Sequence, residues 1–290
     1  MKEKLDASIL SANYNKAKYL DDFFLSIENS SVLPTQIVIV DDGSTDSSIE
    51  IINSYSKKLP IKLIQIKKNV GFANALNFGL GKCKGKIILR IDPDDEMDCR
   101  RIERQYEFME NNEDVDVLGS NNIYYFNKCA KFTFKSNFAE SHDLIYKQLT
   151  KGIVPLSHTS IAVRRDFFQH YKYNQEAFPY EEYDLFARMA LDGGVFHNLT
   201  DCLTYYRIYP HNDAFDYFVK RQKGLNRLRK MYFGKNTSQA LSLSRVLHQF
   251  FFRKALVSQK GFIRFSFFIL ASFCNPFALM KRIRAIIKHE

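Results

Sequence analysis

Three carboxylates stand within four residues at Asp92-Pro93-Asp94-Asp95, closing the short apolar run Ile87-Ile88-Leu89-Arg90-Ile91. Carboxylates this close repel one another unless a cation sits among them. Hard divalent cations such as Mn²⁺ and Mg²⁺ prefer oxygen ligands of this kind. The same residues also suit a solvated turn that caps the next helix, since Asp and Pro are ordinary turn formers. A second acidic pair, Asp41-Asp42, ends the run Gln36-Ile37-Val38-Ile39-Val40. A carboxylate there can accept hydrogen bonds from a nucleobase or a ribose, or it can cap a helix. A third acidic group, Glu181-Glu182-Tyr183-Asp184, opens a helical pattern. On its own it reads as a set of charges that complement the helix dipole. His158 stands alone in Leu156-Ser157-His158-Thr159-Ser160; it is either a site residue or a histidine of the core.

The chemistry needs elements that bring these groups together. Residues 7–12, 36–40, 61–66 and 87–91 read as strands rich in β-branched residues, and helical spacing fills the gaps between them. Ser47 and Glu50 have the spacing of a capping box ahead of the second helix. Strand and helix in alternation with short links imply a parallel sheet with right-handed crossovers. In such a sheet ligands bind beyond the C-terminal ends of the strands, which is where both Asp clusters fall. Asn69-Val70-Gly71 forms the neighbouring loop. After the helix over 101–109 the rhythm changes. Residues 115–119 and 123–126 read as two strands, 131–134 as a hairpin partner, 160–163 and 203–208 as further strands, and 183–191 as a helix.

Charge is unevenly placed. The net +10 resolves into +14 over residues 214–290 and −4 over residues 1–213. That shift sets the expected boundary between a domain at 1–213 and a basic, helical C-terminal region at 214–290. The basic region holds Phe262 to Leu279, aromatic and apolar but broken by Asn275-Pro276. It is shorter than the ~20 apolar residues of a membrane span. Basic flanks around such a segment suit a helix lying on an anionic leaflet; a helix packed on the domain is the alternative. The clustered Phe, Ile and Leu argue against nucleic acid as the partner, because they do not look like exposed stacking platforms. Five scattered cysteines without a CxxC pair suggest neither a disulfide framework nor a zinc site. The opening MKEKLDASILSANY lacks the apolar run of a signal peptide. A cytosolic protein, peripheral on the inner face of the membrane, is the expectation.

Four motifs in order, SILSANYNKAKYL, QIVIVDDGSTDSS, NVGFANALNFGL and RIDPDDEMDCRRIERQYEFME, resemble family 2 of the inverting nucleotide-sugar glycosyltransferases. The resemblance runs from about Ser8 to His211 and is nearest to members that build bacterial exopolysaccharide, capsule and lipopolysaccharide. It implies an α/β GT-A fold with a Rossmann-like, mostly parallel sheet. It also implies transfer of a sugar from a nucleoside diphosphate, UDP above others, to a hydroxyl of a lipid-linked glycan. Carried over by position, Ala12, Tyr14 and Asp42 form the uracil pocket, with Asn15, Asn69, Gly71 and Asn77 near the donor. Asp92 meets ribose or metal, Asp94 ligates Mn²⁺ or Mg²⁺, and Asp95 supports them. His158 matches a family histidine near the reaction centre of the donor site, and Arg207 is available for the donor phosphate. The family's Glu-Asp base motif falls on Glu181-Glu182, so Glu182 takes the aspartate position, with Glu181 or Asp184 as alternatives. Where the family often has a histidine that helps bind metal or diphosphate in some members, this chain has Tyr209; either His211 is the substitute or the site lacks that ligand. A metal-dependent nucleotidyltransferase is a rival reading, weakened by the lack of a glycine-rich phosphate loop with lysine.

Overall fold

The computed structural model describes residues 2–125, 134–208, 215–234, 247, 250–251, 254 and 261–274. Four parallel strands come first, β1 (Lys4–Asn13), β2 (Leu33–Asp41), β3 (Ile61–Gln65) and β4 (Ile87–Arg90), side by side in the order β3-β2-β1-β4. Side chains alternate across a strand. Leu10, Val38, Val40 and Ile88 therefore join one core, and Ile9, Ile37, Ile39, Ile87 and Leu89 join the other. Helices α1 (Ala17–Glu28), α2 (Ser48–Tyr55) and α4 (Arg101–Asn111) complete the second core through Phe23, Phe24, Ile52, Ile102 and Met109. Helices α3 (Phe72–Leu80), α5 (His142–Leu149), α6 (Arg165–Phe168) and α7 (Glu181–Leu191) complete the first.

The sheet continues as a mixed one. Beyond β4 lie β8 (Ala162–Arg164), β6 (Val117–Tyr125), β9 (Phe196–Arg207) and the two-residue β5 (Glu96–Met97), with β7 (Phe134–Lys135) on β6. Strand β8 is antiparallel to both β4 and β6, whereas β6 and β9 run parallel. This is the α/β architecture that the resemblance implies, with an antiparallel seam where the strand–helix rhythm breaks off. Two expectations are corrected. Residues 115–119 and 123–126 are not separate strands: β6 runs unbroken from Val117 to Tyr125. The Ser47–Glu50 capping box is not made either. Ser47 forms no side-chain cap bond, and Asp46 accepts from the Ser48 N–H (3.0 Å) and the Ala17 N–H (3.0 Å). Of the expected hairpin partner at 131–134, only Phe134 is among the described residues. Cys83, Cys99, Cys202 and Cys274 are free thiols, and Cys129 lies outside the described residues.

Helix α8 (Phe215–Phe233) belongs to the first core, because Leu225 and Leu228 pack there with Tyr183 and Leu185. The basic region thus begins with a helix docked on the body of the protein. The expected boundary at 213 falls outside the described residues. The apolar stretch forms a helix over Gly261–Cys274, with Phe265, Ile269, Leu270 and Phe273 exposed. No helix among the described residues is long and apolar enough to cross a membrane.

Candidate functional site

The parallel strands β1, β2 and β4 end at Asn13, Asp41 and Arg90, so their following loops meet on one edge. A cleft of about 620 Å³ opens there, lined among others by Ala12, Tyr14, Asp42, Asn69, Gly71, Asp92, Asp94 and Arg207. The two Asp clusters expected on one edge do share it, and they divide the work. Asp41 is buried and fixes the turn: it accepts from Asn13 Nδ2 (2.7 Å) and the Ser44 N–H (2.9 Å). Asn15, in the left-handed region at φ 53°, accepts from the Thr45 N–H (2.8 Å) and braces the same turn. Asp42 draws in the neighbouring loop by accepting from the Val70 N–H (2.8 Å) and the Gly71 N–H (3.0 Å). Gly71 sits at φ +92°, a conformation that side chains disfavour. An ionised carboxylate has about four acceptor sites, so Asp42 keeps capacity for a ligand N–H.

Asp92, Asp94 and Asp95 converge as their spacing suggested: one oxygen from each lies within 4.8 Å of the others. Strand β4 ends at Arg90, and the Asp95 N–H bonds back to the Asp92 carbonyl (3.1 Å) to close the turn. Cations already compensate part of the charge. Lys16 Nζ lies 2.5 Å from Asp94 Oδ2, and Arg90 Nη2 lies 2.5 Å from Asp92 Oδ1. Burial, then the Asp94 and Asp92 charges, raise the Asp95 carboxyl well above the usual range. Its Oδ1 accepts from the Arg207 N–H (2.9 Å), while its buried Oδ2 has no well-formed hydrogen bond among the described residues. A crowded set of oxygen donors with one buried oxygen unsatisfied is what a hard divalent cation would relieve. The residues present fit such an ion.

Arg207 staples this loop. Its guanidinium lies between the Tyr19 and Tyr125 rings (5.0 and 4.9 Å) and donates to Asp22 Oδ2 (3.0 Å) and the Asp94 carbonyl (3.0 Å). Arg101 does the same from below. Fully buried, it donates to the carbonyls of Arg90 (2.7 Å) and Thr159 (2.9 Å) and to Gln105 Oε1 (2.9 Å). Burial, then Arg90, lower its pKa to about 9. Sequence reasoning left Arg101, Arg90, Lys16 and the cleft-lining Phe72 without roles. Arg90 is fully buried, and its guanidinium lies 5.1 Å from the Phe72 ring. The letters K and R announce charge; nothing in them announces burial.

Other expected residues fall elsewhere. Asn77 does not line the cleft: its amide exchanges two hydrogen bonds with the Tyr173 backbone (2.8 and 2.9 Å). His158 is packed edge-on against Phe72, Tyr173 and Phe186, and its Nε2 pairs with the Tyr173 hydroxyl (2.8 Å). Burial, then Arg90, push its pKa well below the ordinary value, so it is neutral. His211 lies outside the described residues.

The acidic trio occupies the first turn of α7. Glu181 is buried with Oε2 unpartnered among the described residues; burial and then Glu182 push its pKa up to about 7. Glu182 is also raised, by burial, against the opposing pull of Arg221 and then Arg90. The charges of Arg90 and Asp92 act weakly on both carboxyls, and neither glutamate is among the residues that line the cleft. Asp184 has another duty. Fully buried, it accepts from Arg188 (2.7 and 3.0 Å) and from the Tyr232 hydroxyl (2.5 Å), joining α7 to α8.

A family model described as glycosyl transferase family 2 matches residues 8–172. A UDP-Gal:alpha-D-GlcNAc-diphosphoundecaprenol beta-1,3-galactosyltransferase of Escherichia coli is 31% identical over 191 residues, 64% of this chain and 68% of that one. The amylovoran biosynthesis glycosyltransferase AmsE of Erwinia amylovora is 28% identical over 205 residues, 68% of this chain and 74% of that one. Among solved structures, Staphylococcus aureus TarS 1–349 in complex with UDP-GlcNAc superposes with a TM-score of 0.62 at 18% identity, covering 94% of this chain and 91% of that one. The mannosyltransferase PcManGT from Pyrobaculum calidifontis, in complex with GDP-Man and Mn²⁺, gives 0.60 at 13% identity, covering 100% and 83%. At these identities the two structures establish a shared fold.

Proposed function

The chain belongs to glycosyl transferase family 2 and is a glycosyltransferase; from that premise we propose that it moves a sugar from UDP to a hydroxyl of a growing, lipid-linked surface polysaccharide, with inversion. The observation that carries this reading is the convergence of Asp92, Asp94 and Asp95 within 4.8 Å at the mouth of the cleft that Asp42 and Tyr14 also line. Asp42, with spare acceptor sites beside Ala12 and Tyr14, takes the uracil N–H. Asp92 and Asp94 hold the divalent cation, which when bound offsets negative charge on the departing diphosphate. Support for UDP and for a lipid-linked acceptor comes from the names of the relatives, which specify UDP-Gal and a diphosphoundecaprenol acceptor in one case.

Glu182 is the general base in this reading. It takes the proton of the acceptor hydroxyl as the acceptor oxygen forms its bond to the anomeric carbon; the bond from that carbon to the diphosphate oxygen breaks, and UDP leaves with the electron pair. Asp184 is the weaker alternative because its oxygens already serve Arg188 and Tyr232. A panel of nucleotide sugars with Mn²⁺ and a lipid-diphosphate acceptor tests the reading. UDP release that depends on both a UDP-sugar and the acceptor is expected, and no turnover of any nucleotide sugar would refute it.

The exposed Phe265, Ile269, Leu270 and Phe273, in a basic region of +14, support docking on the inner, anionic face of the membrane. Full-length protein is expected to sediment with vesicles containing anionic lipid, and a chain ending before Gly261 to remain in the supernatant. Equal recovery of the two would remove the membrane from the account.

A further inference from the structure

Helix α8 lies beyond the part of the chain that the family model matches. It nevertheless meets the base motif closely. Gly224 abuts the Tyr180 ring so tightly that a Cβ there would stand 2.1 Å from Cε2. One turn from Gly224, Arg221 Nη2 comes within 3.9 Å of Glu182 Oε1, with the two side chains 37% and 15% exposed. Tyr232 on the same helix bonds Asp184. Helix α8 is therefore pinned to the first turn of α7 at two points, and a guanidinium stands beside the one carboxylate of the trio assigned to chemistry.

We propose that Arg221 is a positioning residue for the transfer: its guanidinium holds the Glu182 carboxylate in its charged form, so that α8 completes the active site. The inference rests on the base assignment given above. A base must be unprotonated before it can accept a proton, and burial of Glu182 works against that. Charges acting on Glu182 come from Glu181 on its own helix, from Arg90 and Asp92 at the end of β4, and from Arg221 on α8; the buried Tyr173 also feels the Glu182 charge. Asp92 disfavours the charged form of Glu182, whereas Arg90 and Arg221 favour it. Arg90 is already bonded to Asp92 at 2.5 Å, whereas Arg221 stands 3.9 Å from Glu182 Oε1 as its ion-pair partner among the described residues. Removing an adjacent positive charge makes ionisation of a carboxyl harder, so its pKa climbs.

The test is the pH profile of kcat/KM for sugar transfer by full-length Arg221→Gln and Arg221→Lys. For Arg221→Gln the acidic limb should move up by about half to one pH unit, the part of a close ion pair's effect expected for a half-exposed partner. Transfer below the midpoint then falls about threefold to tenfold, while the alkaline plateau and UDP affinity stay near wild type. Arg221→Lys restores most of the limb's position. A folded Arg221→Gln protein whose profile superposes on the wild type overturns the inference. Should that variant not fold, the wild type in rising KCl reads the same pair: screening lifts the limb if the pair matters, and a fixed limb counts against it. Failure of the base assignment looks different. Glu182→Gln would then keep its transfer activity, whereas a dead Glu182→Gln beside an unmoved Arg221→Gln profile rejects only the role of Arg221.

Discussion

Glu182→Gln should bind UDP as the wild type does and transfer sugar ~10²–10⁴-fold more slowly, the range expected when a general base is lost. Glutamine keeps the shape of the side chain and can still hydrogen bond, but it cannot take the acceptor's proton. Glu182→Asp keeps the carboxylate with a shorter reach and should retain part of the rate. The neighbours make the comparison informative. Asp184→Asn weakens a network in which the buried Asp184 holds the partly exposed Arg188 and the Tyr232 hydroxyl, so its main effect should be a lower Tm. Glu181→Gln removes a group whose pKa, about 7, leaves it largely protonated in mildly acidic solution. Its effect on transfer should be smaller than that of Glu182→Gln. Near wild-type transfer by Glu182→Gln, with a folded but inactive Asp184→Asn, would move the base by two residues.

Asp94→Asn should abolish the Mn²⁺-dependent part of UDP binding without unfolding the protein. The fold tolerates the change because Asp94 lines the cleft and its ion pair with the partly exposed Lys16 is worth only ~0–1 kcal/mol. The ligand does not tolerate it. Losing a group that merely supports a metal ligand costs ~10–100-fold in affinity, and losing the ligand itself should cost more. Titration calorimetry of UDP with and without Mn²⁺ reads this directly. Equal metal-dependent affinity in mutant and wild type would take the ion away from this cluster.

Much of this site is legible in the sequence, because it is local. Asp42, Asp92 and Asp94 end strands whose β-branched runs are plain, and strand ends in an open α/β sheet define the ligand edge. The spacing of Glu181, Glu182 and Asp184 puts all three in one helical turn, as observed. What is not legible depends on distant partners. Asn121 and Asn122 read as a break between strands, yet β6 passes through them. Two register shifts absorb them, and their amides bond the Thr200 carbonyl (3.1 Å) and Ser157 Oγ (2.7 Å). Strand β5 has only two residues and exists because β9 pairs with it. Asn77 is spent on a backbone 96 residues away. Arg90 and Arg101 have no role that the sequence assigns, yet both are fully buried: Arg90 bonds Asp92, and Arg101 bonds the Arg90 carbonyl.

The account's central claim is a single displacement at the anomeric carbon of a UDP-linked sugar, and product analysis by NMR tests it most directly. With an α-linked UDP-sugar, Mn²⁺ and a lipid-diphosphate acceptor, the account predicts free UDP in the phosphorus spectrum. The proton coupling of the new glycoside should be that of the β-anomer. A product that retains the α configuration, or phosphorus signals of pyrophosphate and a nucleotidyl adduct in place of UDP, would contradict it.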